Sequence, residues 1–401
     1  MLTRRYFLRS SAIAVAGLGA APSWLVRAAA QGTSGNGKRK ILIAVFQRGA
    51  ADGLNIVVPH FEKLYYDLRP SIAVAAPGKP NGAIDLDGRF GLHPSLQQLK
   101  PLWDSKQLAI VHAAGSPDNT RSHFDAQDRM ESGTPGRSSE DGWLNRALSP
   151  NAPGASPVRA IAMGAQLPRT LRGSREAVAV NNLEQFQVRN TNAASILEAM
   201  YASTADPKLA AAGKGTFEAL KIIESINRGP VAPVQGIQYL GEFGRGLQQI
   251  ARLIKADVGV EAAFADIGGW DHHSNEVPQL TQLLQQFGNS LAAFAKDMGD
   301  RMQDIVLVTM SEFGRTARED GNGGTDHGHG NVMMVLGGPV RGGKVYGQWP
   351  GLEPEQLFER RDLAVTTDFR DVLGELVGAH LGQKPETVFL GYKPSAPLGL
   401  L

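Results

Sequence analysis

Six short, uninterrupted apolar runs constrain this chain more than any other feature: Ile41–Phe46 (ILIAVF), Gln107–Ala113 (QLAIVHA), Val158–Met163 (VRAIAM), Val260–Asp266 (VEAAFAD), Ile305–Met310 (IVLVTM) and Val332–Leu336 (VMMVL). A strand that is apolar at every position is buried on both faces, the pattern of a parallel sheet covered by helices. Between the runs, apolar residues recur at three-and-four spacing, which predicts helices. One stripe is Leu240, Phe243, Leu247, Ile250 and Ile254, and a second is Leu280, Leu283, Leu284, Phe287, Leu291, Phe294 and Met298. A third runs through Phe369, Val372, Leu373, Leu376 and Val377. Alternation of this kind predicts an α/β fold, a three-layer αβα sandwich with a mostly parallel central sheet and right-handed crossovers. Ligands in such sheets bind beyond the carboxyl ends of the strands, so the chemistry is sought there.

The chain starts with an address. Thr3-Arg4-Arg5-Tyr6-Phe7-Leu8-Arg9, the mild apolar run from Ser11 to Val26 and the triplet Ala28-Ala29-Ala30 resemble a twin-arginine export signal. Gly17, Gly19, Pro22 and Ser23 interrupt the apolar run, which falls short of the roughly 20 residues of a spanning helix. Residues 1–30 are therefore read as a cleaved signal and 31–40 as a flexible tether. Residues 41–401 form one α/β domain, in which 150–230, with its weaker pattern, is a cap or insertion. This organisation implies passage through the twin-arginine translocase to the periplasm or the exterior, with no stable membrane span. Lys plus Arg is 41 against 39 Asp plus Glu, so no overall field draws nucleic acid. Cysteine is absent, which leaves His, carboxylates, Ser/Thr and Arg to carry any chemistry.

The loops at the strand ends supply the candidates. After the first strand comes RGAADGLN, offering Arg48 and Asp52; Asp52 is either a metal carboxylate or the cap of its own Asp-Gly turn, and local sequence favours the cap. After the second, SPDNTRSHFDAQ reads as loop, cap and helix, placing Ser122 or Thr120 at a helix start beside Arg121 and His123, groups suited to an anionic oxygen or to plain capping. After the fourth, DIGGWDHHSN presents Asp271 and His273 as alternate residues able to share one cation. After the fifth, Glu312 lies just past the apolar residues, and GTDHGHG brings Asp326 and His327 between glycines. Four of the nine histidines sit in these two Asp/His clusters, and imidazole with carboxylate is the donor set for Zn, Mn or a similar ion.

Taken in order, RGAADGLN, TRSHFDAQDRMESG, DIGGWDHHSN, SEFGRTARE and GTDHGHGNVMMVLGG resemble a bacterial family designated domain of unknown function fifteen-oh-one, grouped with the alkaline phosphatase and sulfatase superfamily. The resemblance implies an alkaline-phosphatase-like sandwich holding one or two divalent ions, Zn or Mn, and hydrolysing small anionic esters of phosphate or sulfate. Under it, Asp52, Asp271, His273, Glu312, Asp326 and His327 are metal residues, Ser122 (or Thr120) or a water is the nucleophile, and Arg121 and Arg48 neutralise the ester. Phe313 stands where the superfamily commonly has a ligand histidine, which keeps open a non-catalytic exported binding or assembly protein with a degenerate site.

Overall fold

The computed structural model describes residues 39–137, 139–150, 155–186, 191–227, 234 and 236–401. The expected signal, and all of the tether except its last two residues, lie outside them. In chain order the strands are β1 (Ile41–Gln47), β2 (Val57–Val58), β3 (Ile84–Asp85), β4 (Gly91–Leu92), β5 (Leu108–Gly115), β6 (Ala160–Met163), β7 (Val178–Val180), β8 (Ala262–Ile267), β9 (Ile305–Met310), β10 (Asn331–Gly337), β11 (Lys344–Tyr346) and β12 (Thr367–Asp368). All six apolar runs thus form strands. They belong to one nine-stranded sheet, ordered β11-β5-β10-β9-β1-β8-β6-β7 with β12 also on β5; β2, β4 and β3 form a small sheet apart.

Burial on both faces of the sheet explains the unbroken apolar runs. Along β1, Ile41, Ile43 and Val45 enter one core while Leu42, Ala44 and Phe46 enter the other. The first core is closed by helices Gly241–Lys255 and Glu276–Met298, whose Phe243 and Phe287 rings stack at 5.8 Å. The second is closed by helices Phe369–Ala379, Trp143–Ala147 and Pro385–Val388, where Trp143 stacks on Phe389 at 5.9 Å. The three expected helical stripes are these helices, and the architecture is the three-layer α/β sandwich. Of segment 150–230, β6 and β7 extend the sheet edge, and helices Thr191–Ala202 and Pro207–Asn227 come after them.

One strand departs from the parallel arrangement, and the departure builds the site. β10 runs antiparallel to both β5 and β9. The connection 311–330 from β9 to β10 contains no helix that could carry the chain to the far end of the sheet, so β10 starts at the edge where β9 stops. The carboxyl ends of β1, β5, β8 and β9 and the amino end of β10 therefore share one edge. Every loop rich in acidic and imidazole residues opens there.

Asp52 belongs to the support beneath this edge. Its carboxylate is buried; one oxygen accepts from the Leu54 amide at 3.2 Å as a helix cap, and the other pairs with Arg69 Nη1 at 2.5 Å. Arg69, equally buried, also donates to the carbonyls of Ala317 and Thr316 at 2.9 and 2.8 Å. Asp52 is therefore not a metal carboxylate as the resemblance implied: its lone pairs are spent inside the protein. Burial works against its charge, yet Arg69 holds its carboxyl below the usual range. Burial, together with the neighbouring Asp52 charge, pushes the Glu276 carboxyl well above the usual range.

Linkage fixes the sign of the consequence. A carboxyl neutral in the fold and ionised above about pH 4.3 when unfolded contributes stability that is full at low pH and declines as pH rises toward its folded value. Glu276→Gln, which removes the titrating carboxyl, should remove that decline, so the variant's stability relative to the wild type grows with pH above about 4.3 in denaturant titrations. Asp52→Ala strands Arg69 and should cost about 3–5 kcal/mol at neutral pH.

Candidate metal centre

Loop 268–275 after β8 carries Asp271 and His273, loop 324–330 before β10 carries Asp326 and His327, and the helix His123–Ser132 after β5 opens with His123. Close backbone contact brings the loops together. Gly49, after β1, has φ +117°, and a Cβ there would strike the backbone nitrogen of Asp271. Gly328 lies against the backbone of Arg315, leaving no room for a side chain.

His327 Nε2 stands at the centre of the cluster. It is 3.0 Å from His123 Nε2, 3.0 Å from His273 Nε2 and 3.2 Å from Asp271 Oδ1. Asp271 Oδ1 is also 3.0 Å from His273 Nε2, and Oδ2 is 3.5 Å from His123 Nε2. Two overlapping ligand triads result, His123–Asp271–His327 and His273–Asp326–His327. Four tetrahedral ligands around a zinc ion at about 2.0–2.1 Å stand roughly 3.3 Å apart, close to these separations.

The far nitrogens of two rings are anchored, and this orients the near ones. His327 Nδ1 donates to the Arg121 carbonyl at 2.9 Å, and His123 Nδ1 donates to Glu312 Oε1 at 2.8 Å. Carboxylate or carbonyl behind the ring is the arrangement that fixes the tautomer of a metal-binding histidine and turns its Nε2 lone pair inward. His273 Nδ1 has Asp326 Oδ1 at 3.8 Å, and Asp326 is itself paired with Arg361 Nη2 at 2.6 Å. The Glu312 hydrogen bond raises the His123 pKa against partial burial, whereas burial lowers that of His327. Asp271, 43% exposed, loses some hydration, but Arg315 Nη1 at 2.7 Å holds its carboxyl below the ordinary range.

Of the sequence-predicted ligands, Asp271, His273 and His327 converge as expected, with Asp326 at their edge. Glu312 is fully buried and behind the cluster: Oε1 accepts from His123 Nδ1, the Gly49 amide and Gln127 Nε2, and Oε2 from Ser311, so it orients His123 and is not a ligand. His123, expected from the sequence to meet an anion, is a ligand candidate; its sequence signal is its place one residue past the helix cap at a strand end. Phe313, itself buried, lies 5.0 and 5.1 Å from the His123 and His327 rings.

The expected nucleophile and anion-binding arginines do not come together. Ser122 caps the helix, its Oγ accepting from the Asp125 amide at 3.5 Å, and no imidazole or carboxylate among the described residues hydrogen-bonds it. Arg121 pairs with Glu359 and Asp362 at 2.7 and 2.6 Å. Arg48 pairs with Asp266 and Glu131 at 2.6 and 3.0 Å. In both cases nearby carboxylates neutralise the guanidinium, correcting its assignment as an ester clamp.

The family model described as "Protein of unknown function (DUF1501)" matches residues 39–387. The chain belongs to this family. Among solved structures similar to this DUF1501 member is the C-terminal periplasmic domain of EptC from Escherichia coli, described in complex with Zn: 9% identity, covering 77% of this chain and 75% of that one, TM-score 0.33. Alkaline phosphatase from the Antarctic bacterium TAB5 matches at 11% identity, over 76% and 93% of the two chains, TM-score 0.30. A protein in the alkaline phosphatase superfamily from Vibrio parahaemolyticus matches at 11% identity, over 76% and 62%, TM-score 0.30. These overlaps are loose, and the site stands on its own residues. No curated protein is similar in sequence.

The donor set fits a divalent ion, which gives a direct expectation. Protein purified after folding in the cell should hold zinc or manganese by mass spectrometry, and His327→Ala or Asp271→Ala should lose it, while Asp257→Asn, in an exposed pair with Arg301 before the amino end of β8, retains it. Equal metal content in all four proteins would contradict this assignment.

Proposed function

We propose that this DUF1501 member is an exported, divalent-metal-dependent hydrolase of small phosphate or sulfate esters, delivered by the twin-arginine translocase to the periplasm or the exterior. The observation that carries the reading is the inward convergence of imidazole Nε2 atoms around Asp271 at an open strand edge. No helix among the described residues is long and apolar enough to cross a membrane.

Charge favours an anionic substrate. Asp271 is the one carboxylate at the centre, with Arg315 beside it, and Asp326 is matched by Arg361, so a divalent ion leaves the pocket positive. The amino end of the helix His123–Ser132 adds its partial positive charge. A bound zinc or manganese ion supplies Lewis-acid polarisation of an ester oxygen and acidifies water. The chain's own residues then hold the geometry. Asp271, His327 and His123 would bind and orient the ion, Glu312 holds the Nδ1 proton of His123, and Phe313 packs against the His123 ring. Ser122 Oγ accepts from the Asp125 amide and Thr120 Oγ1 from the Ser122 amide, with no base hydrogen-bonded to either among the described residues, which favours a water as the attacking group.

The engaged arginines and the capped Ser122 favour a second reading, a non-catalytic exported binding protein that keeps the ion. Turnover separates the two. With zinc or manganese bound, aryl phosphates, phosphodiesters or aryl sulfates should be hydrolysed; Asp271→Ala should lose on the order of 100-fold or more, and Ser122→Ala should keep most of the rate. Full metal occupancy with no turnover on all three substrate classes would leave the binding reading standing.

A further inference from the structure

We propose that Arg315 is a positioning residue for the metal centre: by clamping Thr325 and Asp271 together it presents the Asp271 carboxylate to the ion. This rests on the metal-centre reading. The Arg315 side chain is fully buried, so it does not meet substrate. Each of its three nitrogens donates once: Nε to Thr325 Oγ1 at 3.1 Å, Nη2 to the Thr325 carbonyl, and Nη1 to Asp271 Oδ1 at 2.7 Å. Thr325 in turn donates its hydroxyl to Glu276 Oε2 at 3.1 Å and its amide to the His272 carbonyl at 3.0 Å. Glu276 accepts from Asn55 Nδ2 at 2.9 Å.

One guanidinium thereby joins the loops after β8, after β9 and before β10, which together supply Asp271, His273, Glu312 and His327. The need for such a clamp comes from exposure: Asp271 is 43% exposed and free to rotate toward water, which would turn both oxygens from the imidazoles. With Oδ1 held by Arg315, its second lone pair and Oδ2 face His327 and His123. A planar fork holds Thr325 and Asp271 at once; a lysine ammonium is a single point donor with the same charge.

Arg315→Lys therefore separates orientation from charge. Zinc affinity, measured by chelator competition, should fall about 10- to 100-fold, the range for loss of an outer-shell partner. The melting temperature of the metal-stripped variant should fall as well, because the Thr325 acceptors lose their donors, so affinity is compared at a temperature where both proteins are folded. Thr325→Val, which keeps the carbonyl but removes the hydroxyl between Nε and Glu276, should show a smaller loss of affinity, and it serves as the test if Arg315→Lys does not fold. Wild-type affinity in folded Arg315→Lys, or in Thr325→Val should the lysine variant be unfolded, would overturn the inference. Failure of the wild-type protein itself to bind zinc or manganese would instead remove the metal reading, and this inference with it.

Discussion

Two hydrogen bonds made on the far side of the imidazoles decide what this site is. The Arg121 carbonyl on His327 Nδ1 and the Glu312 carboxylate on His123 Nδ1 leave each ring a single nitrogen to offer inward. Free to flip, the same histidines would be surface groups hydrogen-bonding water. Glu312 performs this function because three further donors, the Gly49 amide, Gln127 and Ser311, saturate and fix it. The RGAADGLN segment thus contributes through its backbone and Gly49, and the SEFGRT segment through Glu312, Phe313 and Arg315, with the candidate ligands coming from other segments.

The fold supplies the rest by chain direction. A continuous parallel sheet would have placed the start of β10 at the opposite edge, and His327 with it. Reversing that one strand brings a segment that precedes a strand into register with segments that come after strands. Beneath the edge, the Asp52–Arg69–Glu276 cluster is buried and polar, which is costly unless every member is satisfied. It connects through Thr325 to Arg315, so the support of the fold and the alignment of the ligands are parts of one hydrogen-bonded network.

Sequence reading reached the strands because apolar residues at every position have few other solutions, and it reached the helices through their three-and-four periodicity. The sense of β10 was not legible, since VMMVL has the same pattern whichever way it runs. The meeting of Asp271, His273 and His327 at one edge was legible because each lies beside glycines at the end of an apolar strand. Asp52 shows the opposite: its local Asp-Gly signature correctly indicated a cap, and the family-based assignment as a ligand was wrong because its partner Arg69, 17 residues away, cannot be inferred from the turn. Glu312 was placed at the right edge but one layer too close, and His123 one layer too far. Neither layer is encoded in spacing; both depend on which side of a ring finds an acceptor.

X-ray absorption spectroscopy of the zinc-loaded protein tests the central claim most directly. The arrangement of His123, Asp271, His273 and His327 predicts a nitrogen and oxygen shell at about 2.0–2.1 Å, with the outer-shell scattering of at least two imidazole rings. A shell of oxygen ligands without imidazole scattering would contradict it.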